Sequence, residues 1–363
     1  MNIAVVLAHN WANTGMYSVD LAAFRLFESL GHTVDYFVAS GGRTNSLFKS
    51  GQVPIYRISD AGPLMRYDRV VYWGDFTTSP YYAFDDFASQ LNSHDGPLSK
   101  SEVFNIWLDV FMMRGRKASG PQLFSFAQNF QTLGAVKGKM NLASLAPLYE
   151  RFTSIMPRDS VSTRELRSHF PSLSANMVTQ GCDAAFLLPD LPIGTAEKNL
   201  KQIGVFLERT PIANKQDLTA ELTRRGYKPL FLNKWLALPR NRFHENFLGL
   251  CTQIRDCGAI LTDTYHLAVN AIRIGTTPVV IGADENAQTS TVSDFKKRVM
   301  LRDLDSEDLY AAIASKLLSP EHVGRIIDKV ETAANARDVH PVHARSRDAA
   351  AAALSTFKTA LLA

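Results

Sequence analysis

The stretch Gly258-Ala-Ile-Leu-Thr-Asp-Thr-Tyr-His-Leu-Ala-Val-Asn-Ala-Ile-Arg-Ile-Gly-Thr-Thr-Pro-Val-Val-Ile281 joins a short apolar run, a polar turn, an apolar helical pattern and a second apolar run. This order is typical of the strand, helix and strand of a parallel sheet. We therefore predict strands at 259–262 and 278–281 and a helix from Tyr265. His266 follows the first of these strands, at the edge of the sheet where open α/β proteins bind ligands. It is therefore a candidate acid or base.

The same alternation of patterns runs through most of the chain. It predicts strands at 3–7, 33–38, 53–58, 69–73, 123–126, 160–163, 176–179, 202–207, 229–232 and 298–301. Helices are predicted at 17–30, 145–152, 215–225, 243–256, 306–318, 320–337 and 346–362. The proline- and glycine-rich stretch after Leu188 predicts an interdomain linker.

These elements predict an α/β protein with two Rossmann-like domains facing each other across a cleft, a GT-B-like arrangement. We expect an N-terminal domain on the acceptor side at 1–188 and a C-terminal domain on the donor side at 189–340. A C-terminal helix at 341–363 is expected to pack back on the N-terminal domain. A chain of 363 residues is long enough for two hydrophobic cores.

The composition excludes several classes of protein. The formal net charge of +4 is too small and too dispersed to indicate nucleic acid as a partner. Three cysteines without a CxxC pair or a His/Cys spacing predict neither a zinc site nor another metal, and we expect no cofactor. The first apolar run indicates a strand rather than a signal peptide, and no run is long enough to span a membrane. We therefore expect a soluble, cytoplasmic protein.

Four stretches occur in a fixed order along the chain. They are Asn13-Thr-Gly15 followed by Gly31-His-Thr-Val-Asp35, then Asp159-Ser-Val-Ser-Thr-Arg-Glu-Leu166, then Gly181-Cys-Asp-Ala-Ala-Phe-Leu-Leu-Pro189, and finally Thr262-Asp-Thr-Tyr-His266 with Gly275 and Pro278. In order and spacing they resemble motifs of the polysaccharide pyruvyl transferase family, which has a GT-B-like fold. The resemblance extends to about Arg298 but leaves 76–145 unmatched. The family has an arginine where this chain has Thr264.

The resemblance implies transfer of pyruvate from phosphoenolpyruvate to a hydroxyl pair of a sugar, giving a ketal and phosphate. It implies as acceptor a glycan or lipid-linked oligosaccharide of surface polysaccharide biosynthesis. The reaction must deliver a proton to the enol carbon and remove protons from the hydroxyls. Histidine exchanges protons near neutral pH, so His266 is the predicted general acid and base. The alternative is a histidine that caps or packs the helix beside it.

A donor that carries a carboxylate and a phosphate needs cationic partners. The predicted donor-binding residues are Arg164, Thr264, Arg209, Lys296 and Lys297. The first two stand in the matching motifs, and the lysines would replace the charge that is missing at position 264. The alternatives are a surface position for Arg164, an exposed loop for Arg209 and a solvated charge run for Lys296 and Lys297. The helix start at 263–265 is also expected to offer N–H groups to a phosphate, although the charge of Asp263 would oppose this.

On the acceptor side we predict Asn13, Gly15 and Asp75. Gly15 would let the backbone approach a ligand, and Asp75 would bind or deprotonate a hydroxyl; the alternative for Asp75 is a turn residue after Gly74. The loop that contains Gly15 is neither GxGxxG nor a Walker loop. The apolar stretch 105–117, with its basic end, indicates either a buried helix or a peripheral contact with lipid-linked oligosaccharide at the inner face of the membrane.

Two further functions fit the same sequence. The first is a GT-B glycosyltransferase that uses a nucleotide sugar, because a fold does not determine a reaction. The second is a diverged relative that binds glycan without transferring a group, which is motivated by Thr264 in place of arginine. Another arginine or lysine close to His266 would count against this last alternative.

Overall fold

The computed structural model describes residues 1–9, 13–39, 47–50, 53–84, 86–136, 140–194, 197–239, 241–283, 292–336 and 339–363. The chain divides into two compact units. Unit 1 contains Met1–Asn10, Val19–Leu188 and Ala350–Ala363, and unit 2 contains Trp11–Ser18 and Pro189–Ala349.

Unit 1 is built on a sheet that, among the described residues, has seven strands in the order β3-β4-β2-β1-β5-β6-β7. These strands are β1 Asn2–Leu7, β2 Thr33–Val38, β3 Leu47–Ser50, β4 Val53–Arg57, β5 Arg69–Trp73, β6 Gln122–Gln128 and β7 Phe152–Pro157. Every pairing is parallel except that of β3 with β4, which is antiparallel. A mostly parallel sheet needs crossover helices that cover its faces, and unit 1 supplies them.

The first part of the chain contains helices α1 Thr14–Ser29, α2 Pro80–Phe84, α3 Asp86–Asp95, α4 Lys100–Val110, α5 Leu133–Val136, α6 Ala146–Tyr149 and α7 Ser160–His169. Helix α4 begins with a capping box, in which the Ser99 hydroxyl accepts from the Glu102 N–H and the Glu102 carboxylate accepts from the Ser99 N–H. Its Trp107 is fully buried in the core of unit 1, as are Phe111 and Met113, which follow the helix. Burial is therefore the observed state of these apolar side chains, and a peripheral membrane contact of this segment stays a prediction.

Unit 2 has a parallel sheet of five strands within the described residues, in the order β12-β11-β10-β8-β9. The strands are β8 Asn199–Phe206, β9 Lys228–Phe231, β10 Cys257–Thr262, β11 Thr277–Ala283 and β12 Tyr310–Ile313. The helices that follow along the chain are α8 Lys215–Arg224, α9 Phe243–Asp256, α10 Tyr265–Ile274, α11 Val292–Asp303, α12 Pro320–Asn335 and α13 Val342–Leu362. Residues of α8 and α12 form one apolar cluster with alternate residues of β8 and β10. Strand β10 is buried over its whole length, as a central parallel strand with two covered faces should be.

The α/β class with two Rossmann-like domains is confirmed. Helix α13 contributes Val342 to Ala349 to unit 2 and its remaining residues to unit 1. No helix within the described ranges is both long and apolar enough to cross a membrane.

Four secondary-structure predictions were wrong. Residues 160–163 begin α7 rather than forming a strand, because the Asp159 carboxylate accepts from the Ser162 N–H and caps a helix there. The strand predicted at 176–179 is an isolated bridge between Val178 and Ile155. Residues 298–301 lie in α11, where Phe295 and Val299 are buried at helical spacing. The helix predicted at 306–318 is a 3-10 turn followed by β12, because pairing with β11 outweighs local propensity there.

Candidate functional site

The start of α10 is the best defined candidate site in unit 2. Strand β10 ends at Thr262, and the backbone then turns through Asp263 and Thr264 into the helix. Thr264 is the N-cap residue, and its side chain makes no capping hydrogen bond to the helix. The N–H groups in the first turn of a helix have no partner within the helix itself, and the helix dipole gives this end a partial positive charge. The geometry of the backbone therefore suits an anion.

His266 is the second residue of α10 and is buried, with 9% of its surface exposed. The carboxamide of Asn270 donates to the His266 carbonyl oxygen (2.8 Å) and to the Ser18 hydroxyl (2.9 Å), and so joins α10 to the start of α1. The ring of Tyr265 stands edge-on to that of His266, with the centroids 5.1 Å apart. Asn270 thus fixes the backbone of His266, and the imidazole packs against Tyr265 within unit 2.

Gly15 lies directly against His266. A Cβ atom at position 15 would be 2.8 Å from both Cγ and Nδ1 of the imidazole and closer still to its Cβ. The hydrogen at position 15 therefore makes room for the histidine. Asn13 caps α1, because its side-chain oxygen accepts from the N–H groups of Gly15 (3.0 Å) and Met16 (3.3 Å). The predicted contact of Asn13 and Gly15 with an acceptor stays a prediction.

Asp263 directs its carboxylate at the loop after β8. Its two oxygens accept from the backbone N–H groups of Glu208 (3.1 Å), Arg209 (2.6 Å) and Thr210 (2.7 Å). Burial raises the pKa of this carboxyl, while the amides of Thr210 and Arg209 and the charge of Lys297 act in the opposite direction. The charge that would oppose an anion at the start of α10 is therefore compensated inside the protein.

Lys297 is fully buried and is used within unit 2. Its ammonium group pairs with Asp294 (2.5 Å) and donates to the carbonyl oxygens of Asp263 (2.7 Å) and Ile281 (2.8 Å). It also donates to the Thr210 hydroxyl (3.2 Å). These contacts join the ends of β10 and β11 to the loop after β8. The structure thus gives Lys297 a structural role, and its contact with a donor stays a prediction.

Lys296 carries its charge towards the start of α10. Its ammonium nitrogen lies 5.3 Å from the centroid of the Tyr265 ring, the ring that stands beside His266. Arg209 is exposed in the loop that Asp263 holds. The structure therefore brings the ammonium group of Lys296 to the start of α10 and the backbone of Arg209 to Asp263, which precedes that helix. Thr264 is buried and donates its hydroxyl to Asp263 (3.2 Å), so it does not replace the charge of an arginine.

Two predicted residues belong to unit 1. Arg164 is exposed on α7, and its donor-binding role stays a prediction. Asp75 follows β5 with a φ of 58°, a left-handed backbone that aspartate adopts more readily than most residues. Its carboxylate is 3.9 Å from the buried guanidinium of Arg158, which also lies 3.4 Å from the Asp159 carboxylate. This arrangement places Asp75 in a charged cluster at the carboxyl ends of β5 and β7.

Unit 1 also contains a buried pair that the sequence did not reveal. Nδ1 of His9, just after β1, is 2.5 Å from the carboxylate of Asp20 on α1. Burial raises the pKa of Asp20, and the charge and hydrogen bond of His9 oppose that rise. The spacing of eleven residues across a strand end and a helix carries no local signal. Arg158 could have been identified from the sequence as a candidate residue, because it follows a strand directly and precedes a helix cap.

No protein-family model matches this sequence, and no curated protein matches it. Solved structures with a similar fold include UDP-GlcNAc 2-epimerase from Neisseria meningitidis bound to UDP-GlcNAc, with 10% identity, 99% of this chain and 100% of that chain covered, and a TM-score of 0.54. UDP-GlcNAc 2-epimerase from Methanocaldococcus jannaschii is 9% identical over 99% of this chain and 100% of that chain, with a TM-score of 0.52. S. aureus MnaA with UDP is 8% identical over 99% of this chain and 94% of that chain, also with a TM-score of 0.52.

At such identities the likeness shows the fold alone. This fold consists of two Rossmann-like domains of the GT-B type, as the sequence predicted. The described residues contain no group of three or more His, Cys, Asp or Glu side chains arranged to hold a metal ion. Cys182, Cys251 and Cys257 are free and buried, and burial raises the pKa of each thiol. A raised pKa makes them poor nucleophiles.

Proposed function

We propose that this chain is a sugar-processing enzyme that binds the phosphate groups of a nucleotide-sugar donor at the start of α10. The observation that carries the proposal is the combination of a helix start, a compensated Asp263 and the nearby ammonium group of Lys296. Phosphates bind at such helix starts because the N–H groups and the dipole act together. The fold supports the proposal, since structures that share it include two with UDP or UDP-GlcNAc bound.

Glycosyl transfer is the reaction proposed for this donor. The bond between the anomeric carbon and the diphosphate oxygen breaks, and a bond from that carbon to an acceptor hydroxyl oxygen forms. Negative charge grows on the departing diphosphate, where the N–H groups of α10 and Lys296 would stabilise it. The acceptor hydroxyl loses its proton, and His266 in the first helical turn is the proposed residue for proton transfer.

The second candidate is pyruvyl transfer from phosphoenolpyruvate to a glycan acceptor. It is favoured by the four motifs that stand in the order of the pyruvyl transferase family. The same helix start would receive the phosphate of this smaller donor, and Lys296 would supply the positive charge that Thr264 lacks. Both candidates therefore place the phosphate at α10 and differ in the remainder of the donor.

Calorimetric titration with UDP, GDP, dTDP, ADP and phosphoenolpyruvate distinguishes these candidates. We expect one nucleoside diphosphate to bind and phosphoenolpyruvate to bind far more weakly. Lys296→Met should weaken the binding by about fivefold or more, because a charge-assisted phosphate contact contributes roughly 1 to 3 kcal/mol. Lys316→Met is the matched control, because Lys316 is an exposed lysine of the same unit.

Binding of phosphoenolpyruvate alone would replace the first candidate by the second. Binding of neither class of donor would reject both and favour a diverged protein without transfer activity. If Lys296→Met and Lys316→Met bound the donor equally well, the phosphate would not lie where the proposal puts it.

A further inference from the structure

A cavity in unit 2 lies at the carboxyl ends of β8 and β9. Its volume is about 230 Å³, and residues of β8, β9, α8 and the loops after both strands line it. Ligand sites in open parallel sheets lie at this edge. The volume suits one ring with its substituents rather than a whole nucleotide sugar.

Phe231 forms an apolar wall of this cavity. It is the last residue of β9 and is 56% exposed, although phenylalanine is normally among the more buried residues. Strand β9 stands at the end of the strand order in the described sheet. An aromatic ring left open to solvent inside a concave site is suited to stacking against another ring.

Another part of the wall is polar and charged. Glu208 and Lys215 form an ion pair (2.7 Å), and the same ammonium donates to the Leu207 carbonyl oxygen (3.1 Å). The side-chain amides of Gln216 and Asn233 also line the cavity. Sugar hydroxyls both donate and accept hydrogen bonds, so they match a wall that offers a carboxylate, an ammonium and amides. A nucleobase carries no hydroxyl groups and would match this wall less fully.

We propose that this cavity binds one pyranose ring of a glycan, with the C–H face of the sugar stacked on Phe231 and its hydroxyls bonded to Glu208 and Lys215. The proposal goes beyond the donor site and does not depend on which donor is used. The two sites are nevertheless linked, because the N–H of Glu208 donates to the Asp263 carboxylate (3.1 Å). A glycan bound here would lie on the loop that Asp263 holds beside the start of α10.

Saturation-transfer NMR with the intact protein tests this site. The probes are the methyl pyranosides of glucose, galactose, mannose and N-acetylglucosamine, each alone, with uridine as the nucleoside probe. At least one glycoside should receive saturation from the wild-type protein, and Phe231→Ala should reduce it about fivefold or more because the stacking platform is lost. Leu317→Ala removes another exposed apolar side chain of unit 2 and should change nothing.

A filling variant provides an independent test that removes no charged group. Thr219 lines the cavity from α8, so Thr219→Leu should reduce saturation of the glycoside, whereas Thr219→Ser should preserve it. Circular dichroism confirms that each variant is folded. Absence of saturation for all four glycosides would overturn the proposal, and so would a signal that Phe231→Ala leaves unchanged. Uridine saturated in a Phe231-dependent way, with no glycoside saturated, would assign the cavity to a nucleobase instead.

Discussion

Gly15→Ala is the substitution expected to displace His266 without removing any of its contacts. The added methyl carbon would be 2.8 Å from Cγ and Nδ1 of the imidazole and closer still to Cβ. Carbon atoms in ordinary contact are about 3.5 to 4.0 Å apart, so the two residues must separate by roughly 1 Å. Because Cβ is fixed to the backbone of α10, rotation of the imidazole cannot relieve the clash.

Two quantities follow from this displacement. Overpacking of this kind costs about 1 to 3 kcal/mol of unfolding free energy. A shift of about 1 Å in a catalytic group lowers the rate by roughly a hundredfold. Gly15→Ala should therefore reduce donor turnover far more than its loss of stability explains. Urea unfolding measures the first quantity, and release of nucleoside diphosphate at saturating donor measures the second.

Gly249→Ala is the matched control. Gly249 lies within α9, in the same unit, and a Cβ atom there would meet nothing within 4 Å. This variant should gain about 1 kcal/mol of stability, because alanine is the better helix former. Its turnover should equal that of the wild type. If Gly15→Ala retained wild-type turnover and stability, His266 would not be held as described and its proposed role would be lost.

Three further predictions concern stability. Phe357→Ala should lower the free energy of unfolding in urea by about 3 to 5 kcal/mol, because the buried Phe357 ring packs on Phe27, Trp73 and Phe126. Leu362→Ala is the control, since this side chain is 51% exposed and its loss should cost little. Equal effects of the two substitutions would contradict this packing. Lys297→Met should lower the free energy of unfolding by about 3 kcal/mol or more, because it leaves Asp294 buried without its ion pair. Lys316→Met is the control and should not lower it. An unchanged melting temperature of Lys297→Met would make Lys297 a candidate donor ligand again. Burial lowers the pKa of His343 to about 4, below the value near 6.5 of an unfolded chain. The unfolded chain therefore binds a proton first, and the free energy of unfolding should fall by about 3 kcal/mol as the pH falls from 6.5 to 4. His343→Gln should remove this part of the acid sensitivity. If the free energy of unfolding of the variant and of the wild type depended on pH in the same way, the prediction would be refuted.

The fold was largely predictable because its signals are local. The segment from β10 to β11 shows apolar strands, a helical pattern and Gly275 at the end of the helix, where φ is 89°. The errors lie where a longer-range interaction decides the outcome. β12 forms because β11 offers it a parallel partner, although its own residues favour a helix by composition.

The candidate site was predictable only in part. His266 could be identified, since it follows a strand and begins a helix. Its contact with Gly15 spans about 250 residues, and the amides held by Asp263 lie more than fifty residues away. Such pairings come from the folded topology and leave no pattern in a single sequence. The burial of Lys297 was hidden for the same reason, because its neighbours Lys296 and Arg298 resemble a solvated run.

Amide hydrogen exchange at the start of α10 tests the central claim most directly. The exchange rates of the N–H groups of residues 265–267 are measured with and without the nucleoside diphosphate that binds most tightly. A phosphate bound there would accept hydrogen bonds from these groups, so their exchange should slow by about tenfold or more, while exchange in α12 stays unchanged. Identical rates with and without bound ligand would contradict the assignment of the donor phosphate to this helix.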